Sequence, residues 1–523
     1  MRFIYIHDSI IKKQIKNSVF LHISNGCRIK DRRVHIFVIM AATKKLRAAE
    51  QHRNKIYQVL ECLDEMEHKR LSRFLHSPYF IKTKTLVSLY DALLAHVQNG
   101  DTGFDRQTVW REVQPESPFD PIVFRKYCSD LLKWTEVFMA QESQLQNDNR
   151  TTAGLLDFLV QRKVKPLYDR SIREARKKIA EKPFKALDDF YTAYVVERHY
   201  YAMMDFDMSV NKRANLEEIS RYLDVFYWIE KLRLFSAQLS QQRTSLQQYE
   251  LKGLPEMLAV LAAYPLEDTP ELAIYYYSFL TLYEEEDVQH YYRLRQILDL
   301  HIAKMPQQEA MEIVDSALHY CTGKINRGKS EFFQQYFDLF NFALENGIFS
   351  NTSEFAPWRY NNIVAAALRL DKLDWAETFV ENFKHLLPPD TRENTYTFNL
   401  ARVYRFQKQY PKVIDLLKNV DYEDIGYSLI SKMMLLITYY ELDEFDALNA
   451  FIDSFRIYLK RNEKKIPAPR RISYLNLLKY MRLLLRLIPG DKAALRKLQL
   501  AIEKDKSLIV NHEWLLEKLE QMA

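Results

Sequence analysis

One stretch of this sequence has the letters of a motif that does chemistry. Gly323, Gly328, Lys329 and Ser330 carry the GxxxxGK[ST] spacing of a phosphate-binding loop. In such a loop backbone amides cradle the phosphates, the lysine neutralises them and the hydroxyl reaches a metal ion. The densest set of carboxylates is Glu284, Glu285, Glu286 and Asp287, with His290 close behind. Carboxylates and histidine can hold a cation when they converge from several elements. The thirteen histidines form no HExxH or HxxxH pair, and no GxSxG elbow is present. Cys27, Cys62, Cys128 and Cys321 have neither zinc nor CxxC spacing and read as buried, reduced thiols of a cytosolic protein.

Chemistry needs elements that aim these groups, and the elements are of the wrong kind. A phosphate-binding loop is entered from a buried strand and left by a helix. Here the entry is Met311, Val314, Ala317, Leu318 and Cys321, three and four residues apart, which is a helix. Residues 323–330 are therefore expected to be a turn between helices, with nucleotide binding as the minor alternative. Leu435–Glu444 resembles the acidic partner of that motif but falls inside a repeat. Consecutive acids at the start of a helix are accounted for by the helix dipole. No catalytic set, cofactor site or metal site is expected.

Composition points to helices throughout. Glycine is only 10 of 523 residues, while tyrosine (33) and phenylalanine (30) are plentiful and recur at helical spacing. Few glycines leave few tight turns, bulges or phosphate loops. The net charge of +6 is concentrated in residues 1–39. That stretch holds Arg2, Lys12, Lys13, Lys16, Arg28, Lys30, Arg32 and Arg33 against Asp8 and Asp31; the remainder is neutral. No basic excess is left to draw a polyanion to the whole body, although Arg162 to Lys185 is locally basic. Val34–Ala42 could pass for a signal core, but Lys44 and Lys45 follow at once. Residues 1–39 read as a basic extension, disordered or preceding a natural start at Met40.

Four regions are expected: the extension 1–39, an N-terminal helical domain 40–146, a long-helix region 153–260, and helical repeats over 270–523. Gln144–Thr152 is the polar candidate linker. Phe124, Tyr127, Leu131, Trp134 and Phe138 share one helix face. With Phe104–Val113 they outline a helix-turn-helix over 104–139, with Arg125, Lys126 and Lys133 on its second helix. A transcription regulator is the alternative this raises. Its weakness is that Trp134 and the apolar face use up much of that helix.

The repeats are carried by Tyr360, Ile363, Val364, Ala367, Ala376, Val380, Phe383 and Pro388 in the first unit. Leu400, Ala401, Tyr404, Val413, Leu417 and Val420 follow in the second, then Leu435, Leu436, Tyr439, Leu448, Ile452 and Phe455. Turns align at Leu373, Tyr410 and Phe445, each preceding the second helix of a pair, at the spacing of the units. This pattern resembles the tetratricopeptide repeat over 357–390, 394–427 and 429–462. Val364 and Leu436 depart from it, standing where that family has a small residue. The N-terminal region, with its segment Ser77-Pro78-Tyr79-Phe80, resembles uncharacterised bacterial all-helical proteins, which implies no activity.

The resemblance implies an all-α fold of antiparallel helix pairs stacked as a right-handed solenoid, with 511–522 as a capping helix. It implies a concave face lined by the first helices, on which the ligand-contacting positions are Asn361, Arg369, Arg402 and Arg405. Arginine forks suit carboxylates. The expected protein is a cytoplasmic, non-catalytic scaffold for a protein or peptide partner, without a small-molecule substrate, nucleic acid or membrane span.

Overall fold

The computed structural model describes residues 54–100, 104–204, 215–244, 247–349, 355–418 and 424–522. The extension 1–39, Met40, Cys27 and Val420 lie outside the described residues. Within them the chain is all-α, with 23 α-helices, four short 3-10 turns and no strand. No helix among them is long and apolar enough to cross a membrane.

Several helices start where a side chain satisfies their free amides. Asp64 and Glu67 form a reciprocal capping box at α2 (Glu65–Leu75), which follows α1 (Lys55–Glu61). After α3 (Lys84–Gln98) and α4 (Arg106–Val113), Asp120 caps α5 (Pro121–Leu145) and Pro121 presets its first turn. The buried residues of α5 are Phe124, Cys128, Leu131, Thr135 and Phe138, one face at helical period. Phe124, Cys128, Leu131 and Phe138 join Leu60, Leu71, Leu89, Leu93 and Trp110 in a core built from α1 to α5. Gln144–Thr152 is mostly helix, because Asn147 accepts from the Arg150 amide and starts α6 (Asp148–Gln161) at once. A second core forms between α6, α7 (Lys165–Ala180) and α8 (Leu187–Met204), around Leu156, Leu159, Tyr168, Ile172 and Val196.

The described chain separates into two compact units. One holds 54–182 and 187–226, so α1 to α8 share it; the other holds 183–186 and 227–522. The division falls inside α9 (Leu216–Thr244), between Phe226 and Tyr227, not at the composition breaks near 150 and 265. The polar stretch 144–152 holds Asn147, the cap of α6.

In the second unit α10 (Leu254–Ala262) precedes a run of pairs. These are α11 (Pro270–Tyr283) with α12 (Gln289–His301), α13 (Gln307–Asn326) with α14 (Phe332–Glu345), and α15 (Pro357–Arg369) with α16 (Leu373–Asn382). Then come α17 (Arg392–Phe406) with α18 (Tyr410–Leu417), α19 (Ile425–Glu441) with α20 (Phe445–Arg461), and α21 (Ala468–Leu484) with α22 (Lys492–Asp505). The last helix is α23 (His512–Met522). Partners within each pair touch, and the first helices of successive pairs touch as well, α11 with α13, α15 with α17, and α17 with α19.

The three helix pairs within 357–390, 394–427 and 429–462 turn in the same way. Asp371, Lys408 and Asp443 each adopt a left-handed backbone, with φ of 57, 59 and 57°. In each, the next amide donates five residues back: Lys372 to the Ala367 carbonyl, Gln409 to Tyr404 and Glu444 to Tyr439, at 2.8–3.0 Å. This is the Schellman close of a helix. The expected packing residues are buried accordingly, including Tyr360, Ile363, Ala367, Ala376, Ala401, Val413, Leu436, Leu448 and Ile452.

Candidate partner-binding face

Asn361, Asn399, Arg402 and Tyr427 come from α15, α17 and α19, the first helices of three successive pairs. Their side chains meet. The Asn361 Nδ2 group donates to the Tyr427 hydroxyl. Asn399 Nδ2 donates to Asn361 Oδ1 at 2.6 Å and to the Thr395 carbonyl at 2.8 Å. Arg402 Nη1 donates to the Asn361 carbonyl at 3.1 Å and to Asn399 Oδ1 at 3.2 Å. Phe398 stands edge-on to the Tyr427 ring at 4.7 Å and beneath the Arg402 guanidinium at 5.6 Å.

Burial sets the electrostatics. Arg402 is only 6% exposed and Asn399 not at all. Burial, assisted by the charge of Arg405, pushes the Arg402 guanidinium down to about 10. Burial raises the Tyr427 hydroxyl above the usual phenol range. Arg402 is thus held inside the inter-helix network; it is not presented to solvent.

Arg405 lies one turn further along α17 and differs. It is half-buried, its guanidinium is 5.7 Å from the Phe406 ring centroid, and among the described residues that guanidinium makes no hydrogen bond or ion pair. Burial lowers its pKa, while the fields of Tyr410, Glu441 and Glu517 oppose that shift. Glu441 is already engaged, accepting from Trp514 Nε1 at 2.6 Å and Lys518 Nζ at 2.9 Å. Arg369 stands apart from the other three, exposed in the last turn of α15. The structure therefore brings Asn361 and Arg402 together, puts Arg405 beside them and leaves Arg369 alone.

The sequence reading missed how much of this face is used internally. Arg359 of α15 reaches back to Asp315 of α13, with Nη2 at 2.7 and 2.5 Å from the two carboxylate oxygens. Burial raises the Asp315 carboxyl in spite of that guanidinium. Trp358 stacks beside His319 at 4.9 Å, and Tyr275 donates to Glu309 at 2.9 Å. The signal was present as polar residues on helix faces that otherwise read as core, Asn399 above all.

The phosphate-loop letters describe the end of a helix. Gly323 to Asn326 are the last turn of α13, and Gly328, at φ 87°, closes it as Lys329 N bonds the Lys324 carbonyl. Lys324 is buried against Glu286 at 3.4 Å, and Arg327 pairs with Glu285 at 2.7 Å. The acidic turn thus lies on the basic segment, and phosphate approaching there would meet carboxylates. Among the described residues no group of three or more His, Cys, Asp or Glu is placed to hold a metal ion. In the helix-turn-helix segment, Trp110 of α4 stacks on Tyr127 of α5 at 6.1 Å and its Nε1 bonds the Ser117 carbonyl. Arg125, Lys126 and Lys133 are exposed along α5 together with Glu136.

Compared with protein-family models, curated proteins and solved structures, the chain matches none.

Proposed function

We propose that residues 270–522 form a tetratricopeptide-like, right-handed solenoid, and that the protein is a non-catalytic scaffold or adaptor. In this reading its first helices line a face that takes a carboxylate-bearing segment of a protein or peptide partner. Three features support the architecture. The units repeat one turn geometry at Asp371, Lys408 and Asp443; their packing residues are buried; and first helices touch first helices. Stacked pairs of this kind bury a continuous core and leave an extended surface for binding. A cytoplasmic setting belongs to the same reading, supported by Cys128 and Cys321 as buried thiols; Cys62, expected to be buried too, is exposed because it lies in the turn after α1 and not on a core-facing helix position.

The observation that carries the binding proposal is Arg405. A half-buried guanidinium with open donors is a costly feature in a folded chain, and a bidentate carboxylate would satisfy it. Arg402, locked behind it, adds positive field without being the contact. Binding of the full chain to peptides with free and with amidated C-termini tests the idea. Free carboxylates should bind more tightly, and Arg405→Met should weaken them about ten- to hundredfold. Equal affinity for both peptide sets, or none for either, would sink it.

A further inference from the structure

The corner between α6 and α7 combines exposed apolar side chains with concentrated positive charge. Leu155, Phe158, Val164 and Leu167 are 44, 51, 38 and 45% exposed. The ion pair of Asp148 with Lys178, 3.3 Å, marks the seam where the two helices meet. Leu155 lies seven residues beyond Asp148, and Leu167 eleven before Lys178, so each falls on the seam side of its helix. The turn between them is short: Lys163 is left-handed at φ 55°, and the Val164 amide bonds the Leu159 carbonyl at 3.1 Å. Apolar groups from both helices are thereby gathered at one end of the hairpin.

The charge lies on the same corner and runs from it along α7. From Arg162 to Lys182 there are nine basic residues and three acidic ones. Arg170, Arg176, Lys177, Lys178 and Lys182 pair with carboxylates. Arg162, Lys163, Lys165 and Arg173 are exposed as well. The Arg162 guanidinium lies 3.9 Å over the Phe158 ring, which keeps the cation at the edge of the apolar patch.

We propose that this corner is a peripheral anchor for an anionic phospholipid surface, with the four apolar side chains entering the interface and the lysines and arginines meeting the headgroups. Interfacial binding needs this pairing of buried apolar area with attraction to anionic lipid. A nucleic acid would use the cations but gains nothing from Leu155, Val164 and Leu167, which cannot stack on bases. A protein interface core is depleted in lysine, whereas here lysine borders the patch.

Sedimentation of the full chain with vesicles tests the proposal. Vesicles of phosphatidylcholine with phosphatidylserine should carry the protein down at low salt and release it at high salt. Vesicles of phosphatidylcholine alone should leave it in solution. Lys163→Gln with Lys165→Gln should weaken binding about thirtyfold. Phe158→Ser with Leu167→Ser should abolish it while helix content and melting temperature are kept; should that variant unfold, the exposed lysine pair still decides. The proposal is overturned by equal binding to both vesicle types, by no binding to either, or by wild-type behaviour of the lysine variant. Binding of duplex DNA or RNA through those lysines, without vesicle binding, would overturn it too.

Discussion

Two arginines one helical turn apart have different work to do. Arg402 and Asn399 belong to a network that ties three helices together, and each is needed to satisfy the other's polar atoms. A buried donor that loses its partner pays its full desolvation cost. Asn399→Ala should therefore lower stability by about 1–3 kcal/mol in urea denaturation. Arg405→Gln should change stability by less than about 0.5 kcal/mol, because burial already opposes its charge and no bond is lost. Equal costs at the two positions would show that Arg405 is structural. Of the four residues read from the sequence as binding positions, helix spacing located all on first helices, but it could not rank their exposure. Exposure depends on the groups supplied by neighbouring helices, and Asn361 of α15 and Tyr427 of α19 supplied them for Arg402.

At the scale of an element, the turns of the three repeats share a left-handed residue that is not glycine. A side chain there meets the neighbouring carbonyl and costs roughly 1–2 kcal/mol, less for Asp than for Lys. Lys408→Gly should raise stability by up to about 1 kcal/mol, the strain relieved exceeding the extra freedom of glycine in the unfolded chain. Asp443→Gly should yield less. The comparison is made by thermal or chemical unfolding, and a loss of stability at Lys408→Gly would show that its side chain does more than occupy the turn. The sequence located these turns through Leu373, Tyr410 and Phe445, because the apolar pattern restarts there. It did not show their left-handed backbone, since Lys carries no mark of it and Asp only a weak one. The phosphate-loop letters failed at the same scale. A motif is a statement about a strand, a loop and a helix, and here α13 runs through its first glycine.

For the whole molecule, the last helix closes a long apolar run. Trp514, Leu515 and Leu519 are buried with residues of α19 to α22, and Trp514 and Lys518 both bond Glu441. Removing the chain from Asn511 onward should cost roughly 5 kcal/mol, from three large side chains and the surface they cover. Melting temperature and solubility of the shortened protein report this, and an unchanged melt would mean that α23 only rests on the surface. The sequence by itself determined that the described chain is helical, where most helices begin and which residues face a core. Those properties follow from local period, caps and breakers, which act within a few residues. Tertiary structure decided the division inside α9, the capture of Arg402 and the exposure of Arg405. It also decided the docking of the acidic turn on Lys324 and Arg327. Each of these depends on which helix comes to lie against which, at separations of tens of residues, where side-chain periodicity carries no information.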